Sequence, residues 1–153
     1  LKTIAKVAGA WATGGAMGTA RYHLKGAGTQ TEGLAFGGEP NNTESEEWDG
    51  SAWAEGDNLN TGRRAMAAFG IQTASIGAGG RQPGHIANVE SYNGTSWTEV
   101  ADNSQHGAPG GEPGAGCGGG GTQTSAILSG GDPYIATVEE WDESLGAVTF
   151  TSS

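Results

Sequence analysis

The sequence has little cysteine, little positive charge and no long apolar stretch. Cys117 is the single cysteine among 153 residues, so no disulfide can form within the chain. No apolar run approaches the ~18 residues of a membrane-spanning helix. Only 7 Lys and Arg residues stand against 17 Asp and Glu, and the net charge of −10 argues against nucleic acid and anionic lipid as partners. We therefore expect neither a membrane span nor a nucleic-acid-binding protein.

Helical periodicity is also missing. No window carries apolar side chains at positions i, i+3, i+4 and i+7 over the length of a helix. Glycine is abundant in contrast: the 30 glycines make up roughly a fifth of the chain, against an ordinary share of about 7%. They do not follow the three-residue period of collagen, and the five tryptophans are regularly placed, unlike in a disordered Gly-rich tail. We predict an all-β protein with almost no helix.

One segment recurs three times along the chain. Each copy opens with G-x-Q-T and has a double glycine whose first residue lies seven positions after the Gln. The double glycines are Gly37 and Gly38, Gly79 and Gly80, and Gly130 and Gly131. Self-similarity of this kind is the signature of a repeat architecture. We interpret residues 1–153 as a single repeat domain, with a partial repeat at 1–27 and repeats at about 28–69, 70–120 and 121–153.

Acidic and aromatic residues mark the second half of each copy. An acidic residue and an aromatic share one predicted strand, and these pairs are Glu46 and Trp48, Glu90 and Tyr92, and Glu139 and Trp141. A further tryptophan follows the next turn, and the partial repeat has one at the same position. These tryptophans are Trp11, Trp53 and Trp97.

Each copy therefore divides into four short strands. The first is rich in Ala and Gly, the second ends at the double glycine, the third carries the acidic residue and the aromatic, and the fourth opens at a Trp. Asp49-Gly50 and Asn93-Gly94 between the last two strands are strong hairpin signals, for which we predict type I′ turns with positive φ at both central residues. Four short antiparallel strands per ~45 residues are typical of a β-propeller blade. We expect Trp53 and Trp97 to be buried between blade faces.

The order of double glycine, aromatic, Trp and then Arg before the next copy resembles the kelch motif from about Trp11 to Trp141. The sequence patterns G-T-Q-T, F-G-G and E-x-W-D-G-x-x-W also resemble repeats common in structural and tail-appendage proteins of marine phages. These resemblances imply kelch-like β-propeller blades in a structural protein. The third copy departs from the pattern, because Asp-Glu-Ser-Leu-Gly replaces the Asp-Gly turn and the Trp.

The number of copies bears on closure of the fold. The chain holds about three and a half repeats, whereas closed propellers have roughly 4 to 8 blades. Its N-terminus begins inside a repeat, near the end of a third strand. We therefore expect other chain segments, or other copies of the chain, to complete the propeller.

The kelch resemblance also brings copper oxidases into consideration, whose sites need Tyr, His and Cys on one face. Here His23, His85 and His106 occur in unrelated contexts, and no H-x-H or H-E-x-x-H spacing exists. Residues 48–53 approach the Asp box of sialidase-type propellers but lack the residue between Asp and Gly, so a turn is the favoured interpretation. We predict no metal, no cofactor and no catalytic residue.

The recurring carboxylates of Glu46, Glu90 and Glu139 admit two interpretations. In the first they face arginines of neighbouring blades as ordinary ion pairs that contribute little each. The arginines concerned are Arg21, Arg63 and Arg64. In the second the carboxylates form a ring of ligands.

Loops on a rigid scaffold are where binding is usually found. We expect loops at residues 40–43, 81–86, 106–114 and 132–135 to gather on one face, with Arg81, His85 and Tyr134 as the best contact candidates. The sequence thus predicts a non-catalytic structural or adhesive module of a virion appendage or cell surface. Its expected partners are other copies of itself, other structural proteins or surface glycans. The alternatives are a subunit of a secreted extracellular filament and, third, a kelch-type oxidase or glycosidase.

Overall fold

The computed structural model describes residues 9–40, 43–104, 118–130, 136 and 138–143. Within these ranges all regular structure is β, in agreement with the all-β prediction. The thirteen strands are β1 (Lys25–Gly28), β2 (Gly33–Phe36), β3 (Ser45–Trp48), β4 (Trp53–Glu55), β5 (Ala67–Ile71), β6 (Ala74–Ala78), β7 (Arg81–Gln82), β8 (Gly84–His85), β9 (Val89–Tyr92), β10 (Trp97–Val100), β11 (Gly118–Gly121), β12 (Ser125–Ser129) and β13 (Val138–Asp142).

The strands form three antiparallel sheets, one from each copy of the repeat. The first sheet has the order β1-β2-β3-β4, the second β5-β6-β9-β10 and the third β11-β12-β13, while β7 and β8 pair as a separate hairpin. The first strands lie side by side, since β5 contacts both β1 and β11. Each sheet begins ahead of its G-x-Q-T glycine, so the divisions drawn at residues 28, 70 and 121 fall at or near the end of the first strand of each sheet.

The double glycines end the second strand of each copy because the chain there takes up positive φ twice in succession. The φ angles are +67° and +126° at Gly37 and Gly38, and +65° and +118° at Gly79 and Gly80. L-residues with a side chain rarely adopt such angles. A Cβ at Gly37 would also lie 2.3 Å from Cε of Met66. In the third copy Gly130 has φ +69°, and Gly131 lies outside the described residues.

The two hairpins between the third and fourth strands are present, but the predicted turn type is wrong. Trp48 pairs with Trp53 across a four-residue loop, and only its glycine, Gly50, has positive φ. The Asp49 carboxylate accepts backbone hydrogen bonds from Ser51 (2.7 Å) and Ala52 (2.8 Å). Asn93 caps the second loop in the same way through its Oδ1. The hydrogen bonds to the polar side chain therefore close the turn, and no second residue with positive φ is needed as it would be in a type I′ turn.

The hydrophobic core lies in two layers between the sheets. The layer between the first and second sheets consists of Leu34, Phe36, Leu59, Met66, Tyr92 and Trp97. The layer between the second and third consists of Ala67, Phe69, Ile76, Ala78, Val89, Ala126 and Leu128. Gly77 allows the first two sheets to approach, because a Cβ there would lie 2.9 Å from the Phe36 ring.

The three tryptophans expected at equivalent positions differ in burial. Trp97 is 5% exposed and packs on Tyr92, with ring centroids 4.9 Å apart. Trp53 packs on Trp48 at 5.4 Å but is only half-buried, so the expectation that it is buried is wrong. Trp11 is fully exposed. The reason is position: Trp97 faces another sheet, whereas Trp53 lies on the outer face of the first sheet.

Replacement of Trp97 should reveal this difference. Trp97→Ala is expected to lower the free energy of unfolding by about 3–5 kcal/mol, because the indole fills the layer between two sheets. Trp53→Ala, the matched control, should cost clearly less. Urea unfolding followed by far-UV circular dichroism measures both, and equal losses would contradict this account of the core.

Asp49 makes a distinct contribution to acid stability. Hydrogen bonds from the backbone of Ala52, and then from Ser51, hold the pKa of this exposed carboxyl below its ordinary value of 3.8. A lowered folded-state pKa means that the carboxylate stabilises the hairpin above the ordinary pKa, and that this contribution disappears as the pH falls through the folded-state pKa.

Asp49→Asn should therefore keep the hairpin, as Asn93 does at the equivalent position, and remove this residue's share of the acid destabilisation. The measurement is the urea midpoint of both proteins between about pH 5 and pH 2. Identical pH profiles would show that the Asp49 carboxylate is not linked to folding.

Candidate binding surface

The segment before each first strand is bound by a glutamate of the third strand, and this glutamate is buried in the first two sheets. In the first sheet Glu46 of β3 accepts hydrogen bonds from the backbone of Gly18 (2.6 Å) and Thr19 (3.3 Å). Arg21 Nη2 donates to the same carboxylate at 2.9 Å, and its Nη1 donates to the carbonyl of Glu44 at 3.0 Å. The arginine thus ties its own segment to the strand on which Glu46 lies.

The second sheet repeats this arrangement. Glu90 of β9 accepts from the backbone of Asn60 (2.7 Å) and Thr61 (3.1 Å) and forms a salt bridge with Arg63. Arg63 Nη1 donates to the carbonyl of Asn88 at 2.7 Å. In the third sheet Glu139 accepts from the backbone and hydroxyl of Ser104, at 2.8 and 2.6 Å. We call each such glutamate, with the groups that it holds, a glutamate clamp.

Burial separates these clamps from ordinary surface ion pairs. The side chains of Arg21 and Arg63 have no exposed area, and those of Glu46 and Glu90 are 3% and 1% exposed. Desolvation lowers the pKa of Arg63, and the charge of Glu90 opposes that shift. Each pair joins two parts of one sheet, so the expected location across blades is wrong, and the pairs are buried, whereas ordinary ion pairs of this kind are exposed. The carboxylates of Glu46 and Glu90 already accept these hydrogen bonds, which disfavours their interpretation as a ring of ligands.

The clamps place the residue after the arginine at one end of the sheets. Tyr22 and Arg64, which follow Arg21 and Arg63, each form a β-bridge to the residue after a double glycine, with Glu39 and Arg81 respectively. Arg81 in turn pairs with His85 across the hairpin of β7 and β8. Two of the three predicted contact residues are thereby cross-strand neighbours, and the third, Tyr134, lies outside the described residues.

These residues form one continuous surface. A salt bridge of 2.8 Å between Arg64 Nη1 and Glu39 Oε1 joins the first and second sheets at this end. Tyr22 is 59% exposed and its ring lies 4.7 Å from that of His23. We call Tyr22, Glu39, Arg64, Arg81 and His85 the loop-end surface. Sequence reasoning missed its first three members, although the 42-residue register that aligns Arg21 with Arg63 also aligns Tyr22 with Arg64.

The chemistry of the loop-end surface is that of a contact site. Tyr and Arg are enriched where proteins bind partners, because they combine a large rigid contact area with directional hydrogen bonding. His85 and Tyr22 are exposed, and Arg81 is half-buried with its Nε donating to the carbonyl of Pro83 at 3.2 Å. An exposed aromatic ring and an exposed imidazole therefore lie close to two partly buried guanidinium groups, of which that of Arg64 is paired with Glu39.

The core layers also contain a cleft. It lies between the second and third sheets, has a volume of about 130 Å³ and is lined by Phe69, Ile76, Val89, Leu128 and Trp141 among others. This volume is below the ~300–1,000 Å³ of typical ligand pockets. Asn103 of the lining stands six residues after Trp97, as the buried Leu59 does after Trp53, so we interpret the cleft as a place where a polar side chain stands in for an apolar one and the layer is filled incompletely.

Comparison with known proteins adds no family assignment. No protein-family model matches the chain, and a search of curated proteins returns no relative. Across the described ranges there is also no helix with the length and apolar character needed to cross a membrane. Function must therefore be argued from the geometry of the chain itself.

The glutamate clamp of the second sheet can be tested by mutation. Arg63→Met is expected to lower the free energy of unfolding by about 3–5 kcal/mol, because it leaves the Glu90 carboxylate buried without its cation. The double variant Arg63→Met with Glu90→Gln should recover part of this loss, since the unpaired charge is gone. Urea unfolding of both variants is the measurement.

The matched control is Glu39→Gln, which breaks the more exposed pair with Arg64. We expect a change of about 0–1 kcal/mol there. If Arg63→Met cost no more than Glu39→Gln, the clamp would not be the stabilising element described above.

Proposed function

We propose that the chain is a non-catalytic structural or adhesive module of kelch-like β-propeller blades, which acts on a virion appendage or cell surface and binds through its loop-end surface. The observation that carries this proposal is the convergence of Tyr22, Glu39, Arg64, Arg81 and His85 at one end of the sheets. Loops held by a rigid β scaffold are the usual place for binding residues.

The arrangement of the sheets supports the blade interpretation. Strand order follows chain order in each sheet, and the first strands of successive sheets are neighbours. In a propeller, four-stranded sheets are arranged radially around a central channel, so that their innermost strands lie closest together. The Gly and Ala residues of β1, β5 and β11 suit such close approach.

Surface glycans are the class of ligand that we propose for the adhesive role. Sugar rings offer both an apolar face, which an exposed aromatic such as Tyr22 can cover, and hydroxyl groups, which Arg64, Arg81 and His85 can bind by hydrogen bonds. A shallow polar surface of this kind suits a ligand that extends beyond the contact. The partner alternative, another structural protein, uses the same residues.

A subunit of an extracellular filament remains the second candidate. It is favoured by apolar side chains on the outermost sheet faces, among them Ile127 and Val138, which are 46% and 53% exposed. Filament and adhesive module differ in the surface used, because a filament needs the sheet faces and an adhesin needs the loop-end surface.

A glycan array tests the adhesive role. The wild-type chain should bind a defined subset of glycans, and Tyr22→Ala and Arg81→Ala should each weaken that binding by about tenfold or more, as expected for contact residues at a site of this size. Arg81→Lys should bind less well than wild type, since Lys keeps the charge and loses the planar fork.

Ile71→Ala is the matched control, because Ile71 is an exposed apolar residue (56%) outside the loop-end surface. It should leave glycan binding unchanged. Absence of binding to any glycan, or equal binding by the Tyr22 and Arg81 variants, would contradict the adhesive proposal.

A further inference from the structure

Equivalent apolar residues are buried between sheets and exposed at the far end of the array. Ile76 and Val89 of the second sheet are 1% and 4% exposed, because they pack against the third sheet. Their equivalents in the third sheet are Ile127 and Val138, at 46% and 53%. Alternation along β12 turns Ile127 away from the core, since its neighbours Ala126 and Leu128 face the second sheet.

The opposite end of the array shows the complementary situation. Tyr92 and Trp97 of the second sheet are buried against the first, whereas their equivalents Trp48 and Trp53 are only half-buried. Trp48 pairs with Gly33, the neighbour of Leu34, and Leu34 faces the second sheet. Trp48 and Trp53 therefore lie on the outer face of the first sheet.

A glutamine amide fastens each sheet to the one before it. Gln72 Nε2 donates to the carbonyls of Trp48 (2.9 Å) and Gly33 (3.1 Å) in the first sheet. Gln123 Nε2 donates to the carbonyl of Tyr92 (2.6 Å) and to Ser91 Oγ (2.9 Å) in the second. Gln30 is the same residue of G-x-Q-T in the first copy, and it is exposed.

We define two faces from these equivalences. The head face is the outer face of the first sheet, where Gln30 is exposed and Trp48 and Trp53 are half-buried, while Gly33 and Ala35 share that side of the strands but are already buried. The tail face is the outer face of the third sheet, with Ile127, Ser129, Val138 and Glu140, which share one side of β12 and β13. Contacts of this kind occur twice within the chain. The face of the first sheet that is equivalent to the tail packs on the face of the second sheet that is equivalent to the head, and the second sheet packs on the third in the same way.

Side-chain size agrees with a third contact of this type. Phe36 of the first sheet meets Gly77 of the second, and Ala78 of the second lies in one layer with Leu128 of the third. In each case a larger side chain faces a smaller one. The corresponding residues of tail and head are Ser129 and Ala35, two small side chains of which Ala35 is only 5% exposed, so no steric clash arises at this position and little contact area is added there.

We propose that the tail face of one copy of this chain docks on the head face of a second copy. Gln30 of the second copy donates its amide hydrogens to the carbonyl of Trp141, which stands where Tyr92 does, and to Glu140, which stands where Ser91 does. The second copy is favoured over other partners because the chain already makes this contact twice with its own repeats. The contact is heterologous, so it closes a ring or continues as a filament.

Two copies would bring together about seven repeats, which is within the range of roughly 4 to 8 blades found in closed propellers. This inference rests on the contact between sheets and is independent of glycan binding by the loop-end surface. Failure of one test therefore leaves the other proposal standing.

Sedimentation velocity of the 153-residue chain, over a series of concentrations, is the first test. The molecular mass obtained for the wild type should be that of a dimer or a larger species, and not the 15.3 kDa of one chain. Ile127→Lys, which places a charge on the tail face, and Gln30→Glu, which replaces the donating amide by an acceptor-only carboxylate facing Glu140, should each weaken association by about tenfold or more. Val138→Lys serves as a second tail variant if Ile127→Lys does not fold.

The controls are Ile71→Lys and Gln82→Glu, which introduce the same charge changes at exposed positions outside both faces. They should associate like the wild type. Near-UV circular dichroism checks that every variant keeps its packed tryptophans.

Mixing the two blocked variants distinguishes head-to-tail contact from a symmetric one. Gln30→Glu keeps an intact tail and Ile127→Lys keeps an intact head, so an equimolar mixture should form one-to-one dimers although neither variant associates alone. A folded wild-type monomer, association unaffected by both variants, or failure of the mixture to associate would overturn the proposal.

Discussion

The buried glutamate clamp is the interaction on which the rest of the structure depends. Glu46 and Glu90 each bind two backbone amides and one arginine, and the arginine donates to the carbonyl of the residue just before the same strand, Glu44 or Asn88. Two charges without solvent are costly unless every lone pair and donor is used. The clamp meets most of that requirement with backbone groups that would otherwise be left unpaired in the segment before the first strand, although Nε of Arg21 and of Arg63 is buried without a hydrogen-bond partner. It fixes where that segment runs, and so where Tyr22 and Arg64 emerge.

Between the sheets a different kind of interaction operates. Apolar side chains fill the layers, and neutral amides of Gln72 and Gln123 reach backbone carbonyls of the preceding sheet. Tyr92 adds a hydrogen bond of 2.6 Å to Glu47 of the first sheet. Burial and that bond raise the pKa of the Tyr92 phenol, which keeps the donor protonated. The internal strength of each sheet and the contact between sheets thus rest on separate sets of residues.

Much of the fold could be predicted from the sequence because the relevant signals are local. The double glycines and the Asp-Gly and Asn-Gly turns indicate where strands end, and β6 (Ala74–Ala78) ends directly before its double glycine as expected. The turn type was wrong because the Asp49 side chain competes with a second positive φ. Burial of Trp53 was wrong because burial depends on whether another sheet packs on that face, which no local pattern specifies.

The candidate site was predictable only in part for a related reason. Arg81 and His85 follow a double glycine, so they were found as loop residues. Tyr22 and Glu39 become neighbours through a bridge between segments 17 residues apart, and spacing alone does not reveal such a pairing. Which glutamate pairs with Arg21 and which with Arg63 was also not predictable. The repeat register identifies which residues are equivalent, but it does not specify which of them are in contact.

The separation of charged and neutral contacts has a consequence for ionic strength. The salt bridges of Arg21 and Arg63 are buried within sheets, where dissolved ions screen them little. Among the described residues, the contacts between sheets are apolar layers and glutamine amides, with one partly exposed ion pair, Arg64 with Glu39. Two copies with a charge of −10 each repel one another in dilute buffer. Added salt shortens the range of that repulsion, to about 3 Å at 1 M, without weakening the apolar layers or the hydrogen bonds of the glutamine amides. The association of two copies proposed above should therefore persist at high ionic strength.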